Sequence, residues 1–497
     1  MALGLIEQLI EALRYQAKHF GPELARTAHR RGLAVTAPDG TTRPIPITAT
    51  PIICDEGEIQ RRVQLSARLS SAGFKMARAV LEGEARELLS GAMSPIEKAV
   101  LERTSEDVER LVTTRVDYFV LGGQPRALEL NTTIPAMQGY SDIAANSFIE
   151  AVGREAQMKD HHIAGLQGKN GSNSLALYRA LLQGYAAERD GAAPKRMAIL
   201  CRPHDAQITE LRYLAERFNE WGTETSVVHP DQLSGDDSVQ AGGKTYDLVY
   251  RHLFVRRLEE APSPYVQELV STVPGKKAVV LNPPSAQVEV KTTFALLSMA
   301  LENRALRDDA RLSDHELKAI QEAVPWTRPF RFAPGIDEDP SRIQALVEQV
   351  AADPHKYVLK RAWDYGGKAV FLGKAVGTAL YDERVQAAYG ATMSWAELCK
   401  RAAEDPVGGG FVVQEVVDTQ PEPHVLCSES GVDATSLYVD FSAYGSVGLD
   451  PLPRWGGVCR GSISAIVNIV GGGGVIPLIT REVAQSLATA FKARQLM

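Results

Sequence analysis

The chain has 497 residues, 44% of them hydrophobic, enough to bury more than one core and to form roughly two to four domains. Its formal net charge of -7, without any long basic run, excludes the electrostatic footprint of a nucleic-acid binder. The opening from Met1 to Glu7 has no basic leader, and Glu7 interrupts its apolar stretch, so the expectation is a cytoplasmic protein with no membrane partner.

From Leu5 to Arg31 the apolar spacing predicts a helix, and Pro44 to Pro51 predicts an extended stretch, because prolines and their predecessors disfavour helix. Residues 56 to 113 predict three helices, the last opened by Ser94-Pro95-Ile96-Glu97, which combines an N-cap serine, a first-turn proline and a capping-box glutamate. Two strands follow, Arg115 to Val120 and Arg126 to Asn131, joined by the turn material Leu121 to Pro125.

Residues 195 to 282 alternate: strand Met197 to Cys201, helix through Leu211 to Asn219, then strands Thr225 to His229, Tyr246 to Tyr250 and Ala278 to Leu281. That order predicts a parallel, Rossmann-like layer. A dehydrogenase does not follow, since the first strand runs into Cys201-Arg202-Pro203 and no glycine-rich phosphate turn. From Lys291 onward helices and strands mix in an α+β pattern. The apolar segment Ile463 to Ile479 contains Asn468 and the glycines Gly471 to Gly474. These suit two strands around a turn and disfavour a bilayer helix. Cys54, Cys201, Cys399, Cys427 and Cys459 are scattered without the paired spacing of a zinc site or a disulfide framework.

The hairpin carries the first chemical signal. If its turn centres on Gly123, Asp117 lies opposite Glu129 and Arg115 opposite Asn131, with all four side chains on one face. Two carboxylates and an amide oxygen form a hard donor set suited to magnesium, with nucleotide phosphates completing its shell. A cross-strand salt bridge on a solvated face is the plainer alternative, although opposed carboxylates repel without a cation.

Arg115-x-Asp117 followed by Glu129-x-Asn131 and Pro135 resembles the magnesium-binding hairpin of the glutathionylspermidine synthetase family and of circularly permuted ATP-grasp proteins. The resemblance implies that Asp117, Glu129 and Asn131 hold magnesium and that Arg115 contacts the transferring phosphoryl group. Further motifs follow in the order such a family requires. Asn282-Pro283-Pro284 leads to Lys291, similar to a first nucleotide lysine. Val358-Leu359-Lys360 runs into Asp364-Tyr365-Gly366-Gly367-Lys368, similar to the strand lysine and the glycine-rich loop above the phosphates. Glycines there let backbone N–H groups approach phosphate oxygens; a plain hairpin turn and a snorkelling lysine would look the same. Phe411 to Val417 resembles the strand that receives adenine, with Gln414, Glu415 and Val417 near the base. Arg460, after Val439-Asp440-Phe441, resembles an arginine that grips an acyl phosphate or a carboxylate.

The resemblance spans about residues 100 to 480 and implies an α/β and α+β protein: a circularly permuted ATP-grasp fold with a Rossmann-like layer before it and a helical N-terminal platform. Its expected divisions are 1–113 helical, 114–194 metal hairpin and helices, 195–290 Rossmann-like substrate domain, and 291–497 nucleotide-binding subdomains. The implied activity is an ATP-dependent carboxylate–amine ligase with ATP and magnesium as cofactors. Its partners would be small-molecule or peptide carboxylates and amines. A nucleotide-binding regulatory or scaffold protein and a phosphotransferase are the alternatives. No amidase domain like that of the bifunctional glutathionylspermidine enzymes precedes these motifs, so a glutathione or spermidine substrate does not follow.

Overall fold

The computed structural model describes the chain apart from residues 1–3, 105–109, 235–238, 260–277, 283–288, 332–340, 365–366, 468, 470–472 and 496–497. The first helix spans Leu5–Arg30 and buries Leu9, Leu13, Ala17, Phe20 and Leu24, a spacing of three and four that lays one face against the core. Residues 56 to 104 form the three expected helices, of very unequal length, and the strand expected from Arg115 begins already at Leu111. A single helix Glu56–Glu82 is followed by a four-residue turn of helix at Glu87–Ser90 and by Pro95–Thr104. The capping glutamate behaves as its motif predicts: Glu97 Oε2 accepts the Ser94 N–H at 2.9 Å and also binds Arg256.

The largest sheet has seven strands in the order Glu422–Ser428, Ile47–Thr48, Gly474–Ile476, Gly457–Ser462, Gly431–Val447, Leu111–Leu121 and Gln124–Asn131. Gly431–Val447 is long enough to pair at one end with Glu422–Ser428 and at the other with Leu111–Leu121. The first pairing closes five of the strands into a ring. Residues before 113 therefore contribute a strand, Ile47–Thr48, to this sheet as well as helices.

Four parallel strands form the Rossmann-like layer, in the order Val279–Leu281, Leu248–His252, Arg196–Cys201 and Glu224–Val228, with helix Ile208–Glu220 crossing over. The strand expected at Tyr246 to Tyr250 instead begins at Leu248. Asp247 forms a bend before it, its carboxylate accepting the N–H groups of Lys195 and Arg196, while Tyr246 belongs to a separate small hairpin.

Residues after 325 build a third sheet, Thr327–Pro329, Phe411–Glu415, Tyr357–Arg361 and Val370–Leu372, all antiparallel. Helices Ser341–Ala352, Ala379–Tyr389 and Trp395–Glu404 accompany it, and Phe330, Leu359, Phe371, Trp395 and Phe411 form a core of their own. The apolar segment near the end is not a simple hairpin. Residues 463–467 bend, and Gly474–Ile476 and Leu478–Thr480 pair with different partners on either side of Pro477. Asn468, Gly471 and Gly472 lie outside the described residues. Among the described residues no helix is long and apolar enough to cross a membrane. All five cysteines are buried free thiols.

Candidate functional site

The hairpin turns on Gly122 and Gly123, whose φ angles of 57° and 79° require the left-handed region that glycine adopts freely. Leu121 faces Gln124 and Tyr118 faces Ala127, so the turn lies between the two glycines, half a residue from the expected centre on Gly123. A bulge then shifts the register: Asp117 faces Glu129 and Arg115 faces Asn131. Leu128 is the extra residue, and the expected pairs are met through the bulge that it makes. The same bulge presents the Leu128 carbonyl to Lys360 Nζ at 3.1 Å.

Lys360 sits on Tyr357–Arg361, beside Phe411–Glu415 in the antiparallel ladder. Val358 and Lys360, two apart, share a sheet face. Lys360 Nζ also donates to Gln414 Oε1 at 2.7 Å, and Gln414 Nε2 donates to Thr327 Oγ1 at 3.1 Å. Burial pushes the Lys360 ammonium down to about 8, against the attraction of Glu129 and with the repulsion of Lys291. Lys291 opens helix Lys291–Ala300; its Nζ donates to the Asp364 carbonyl at 2.6 Å and lies 3.9 Å from Glu129 Oε2. Two cationic side chains thus converge on the Glu129 side of the hairpin.

Behind them runs a buried chain of alternating charge. Arg115 grips Asp117 with Nε at 2.7 Å and Nη2 at 3.0 Å, and Arg460 Nη2 reaches the same carboxylate at 2.8 Å. Arg460 also binds Asp440, its cross-strand partner. Burial alone would raise the Asp117 carboxyl, but the two guanidinium groups outweigh it and hold it well below the usual carboxylate range. Asp440 has only one such partner, and burial pushes it up. Arg115 Nη1 and the Tyr444 hydroxyl both donate to the Ala136 carbonyl, which fixes the segment that leaves the hairpin.

A cleft of about 780 Å³, open to solvent, lies between the hairpin and the third sheet. Its walls include Asp117, Glu129, Lys291, Lys360, Gly367, Gln414, Glu415, Val417 and Arg460. Nine residues that the sequence singled out therefore meet in one place. Arg115 stands behind Asp117 and Asn131 beside it on the hairpin. Neither is among the wall residues, nor is Lys368, which is exposed. Gly366 lies outside the described residues. Gly367 has a φ of 69°, and a Cβ there would come within 2.8 Å of Ile466 Cγ2, so the glycine-rich loop and the bend at 463–467 approach closely above the cleft. At the Gln414–Val417 end of the cleft, Val416 N donates to the Lys356 carbonyl and Glu415 pairs with Lys356 at 3.3 Å.

Sequence reasoning missed Asp440, Lys374 and the wall formed by Ala465, Ile466 and Val467. Asp440 did leave a signal, as the lone charge in the apolar run from Val439 to Phe441. Lys374, which pairs with Asp418 at 2.8 Å, left none.

The donor set fits a hard cation. Asp117 Oδ2 takes both arginines and Oδ1 only one, which leaves Oδ1 a lone pair. Glu129 is partly exposed on the cleft wall, and the buried Asn131 Nδ2 has no partner to fix the amide, so the amide can turn to offer its oxygen, the atom that a hard cation takes. The amide is needed: among the described residues no three His, Cys, Asp or Glu side chains gather closely enough to hold a metal.

No family model matches the chain, and no curated protein does. A glutathione synthetase-like effector from Globodera pallida, solved in its apo form, aligns with 97% of this chain and 100% of its own at 14% identity and a TM-score of 0.59. The chain therefore shares a glutathione synthetase-like fold. A Methylobacillus flagellatus KT protein, provisionally named a gamma-glutamylcysteine synthetase, aligns with 85% of this chain and 96% of its own at 11% identity; its TM-score of 0.38 carries no argument.

Proposed function

We propose that the chain is an ATP-dependent carboxylate–amine ligase of circularly permuted ATP-grasp architecture. ATP would phosphorylate a substrate carboxylate, and an amine would displace phosphate from the acyl phosphate to form an amide. The observation that carries the reading is the meeting in one cleft of Asp117, Glu129, Lys291, Lys360, Gly367, Gln414, Glu415, Val417 and Arg460, from segments far apart in the chain. The glutathione synthetase-like fold of the Globodera pallida effector supports it at the level of architecture.

In this reading Lys291 and Lys360 neutralise nucleotide phosphates, and the backbone from Gln414 to Val417 lies along the adenine. Gly367 lets the loop above the phosphates approach closely. Arg460 stabilises charge on the transferring phosphoryl group, while Arg115, held behind the cleft wall by Asp117 and the Ala136 carbonyl, acts only through Asp117, in a site that works by positioning and electrostatics without a covalent nucleophile. Asp117, Glu129 and Asn131 would hold magnesium, which supplies Lewis-acid neutralisation of phosphate oxygens when bound. The strand ends of the Rossmann-like layer, at Cys201, Val228 and His252, would shape the side of the cleft that receives the acceptor.

The test is calorimetry of magnesium-dependent ATP binding, followed by a screen of carboxylates and amines for phosphate release. Tight binding with amine-dependent release is expected. A phosphorylated product that accumulates without amine would make the chain a phosphotransferase, and a folded protein that binds no ATP would overturn the reading.

A further inference from the structure

Among the charged side chains on the floor of the cleft, Asp440 has no role in the mechanism above, yet it is built in firmly. It is 1% exposed and stands directly across the ladder from Arg460. Its Oδ1 accepts the Arg460 backbone N–H at 3.2 Å and Nε at 3.1 Å, while Oδ2 binds Nη2. Asp117 takes the same Nη2 from the other side at 2.8 Å. Asp440 therefore holds the Nε–Nη2 edge of the guanidinium, and Asp117 takes only the remaining N–H of Nη2. Nη1 has no partner among the described residues, and the side chain remains 13% exposed in the cleft wall.

We propose that Asp440 is a positioning residue for Arg460: by fixing the Nε–Nη2 edge it turns the remaining donors toward the terminal phosphoryl group of the nucleotide. The inference rests on the nucleotide reading of the cleft. A planar guanidinium gripped along one edge is pre-organised, whereas a free arginine loses rotamer entropy each time it binds. A carboxylate is required because both of its oxygens accept. The isosteric amide would direct two N–H donors toward Arg460 or leave one of its bonds unmade. Asp117 cannot substitute alone, since Arg115 already occupies it at two positions.

The test compares magnesium–ADP with magnesium–AMP-PNP, which differ in that terminal group, by calorimetry on the full chain. Asp440→Asn is expected to weaken AMP-PNP binding about tenfold, the weight of one charge-assisted hydrogen bond, and to leave ADP within about twofold. Arg460→Met should lose the same discrimination, and the double variant should be no worse than Arg460→Met alone. Equal weakening for both nucleotides, or additive losses in the double variant, would mark Asp440 as a structural charge balance and overturn the proposal. If Asp440→Asn does not fold, Arg460→Lys carries the test. A point-charge ammonium cannot be gripped along an edge, so the same selective loss is expected, and unchanged AMP-PNP affinity overturns the inference. Wild-type protein that binds neither nucleotide would remove the nucleotide reading and this proposal together; binding without selective loss removes only the proposal.

Discussion

At Lys360 burial holds the ammonium at about 8, against 10.5 for a free lysine side chain. Between those values the unfolded chain binds more protons than the folded one, so this group makes stability rise as pH climbs from about 8 to 10.5; below 8 the full cost of burying the charge remains. Nucleotide binding has the opposite slope, because phosphates need the protonated amine. ATP affinity, measured by calorimetry at constant magnesium, should fall by about tenfold per pH unit above 8. Lys360→Arg, which stays charged, should lose that slope. The hairpin carboxylates should separate in a different way. Asp117→Asn leaves two buried guanidinium groups facing each other and is expected to lower stability by about 3 kcal/mol or more in urea unfolding. Glu129→Ala, on a partly exposed side chain, should stay within about 0.5 kcal/mol while losing the magnesium dependence of ATP binding. All these residues were legible in the sequence as types at a spacing. Asp440 left only the signal of a lone charge in an apolar strand, and its meaning came from standing opposite Arg460.

Glycines decide several close approaches between elements. A Cβ on Gly457 would lie 2.6 Å from the Ser442 carbonyl on the neighbouring strand, with Phe441 at 2.7 Å. Gly457→Ala must push apart the pair of strands that carries Asp440 and Arg460, and should destabilise by about 1–3 kcal/mol in thermal or urea unfolding. Gly367→Ala meets the β-branched Cγ2 of Ile466 at 2.8 Å and must hold a φ of 69°. Its expected signature is weaker nucleotide binding together with a loss of about 1–2 kcal/mol of stability in thermal or urea unfolding. The hairpin teaches how far element-level reading extends. The pairing of Asp117 with Glu129 followed from alternation, but the bulge at Leu128 did not, because an extra residue changes no local propensity. Helix periodicity likewise placed Leu5–Arg30, and the resemblance pointed to the strand around Val358 to Lys360, whereas the bend at Asp247 that delays the strand to Leu248 left no local signal.

Across the whole molecule, the cleft lies between the seven-stranded sheet and a third sheet with its own core. A ligand held by both should couple them. ATP with magnesium at about a hundredfold over Kd is expected to add about 2.7 kcal/mol to stability and to raise Tm. In hydrogen exchange it should protect 111–131 and 357–372 together; protection of one alone would place the nucleotide elsewhere. By itself the sequence determined the periodic elements, the parallel order of residues 195 to 282 and the residue types that a phosphate-handling site needs, since these follow from local spacing and side-chain chemistry. Only the tertiary structure decided that nine scattered residues share one cleft, that Ile47–Thr48 joins the main sheet, and that Asp117 and Asp440 hold Arg460 between them. Those are contacts between positions far apart in the chain, and they are set by packing and strand register, which no local pattern encodes.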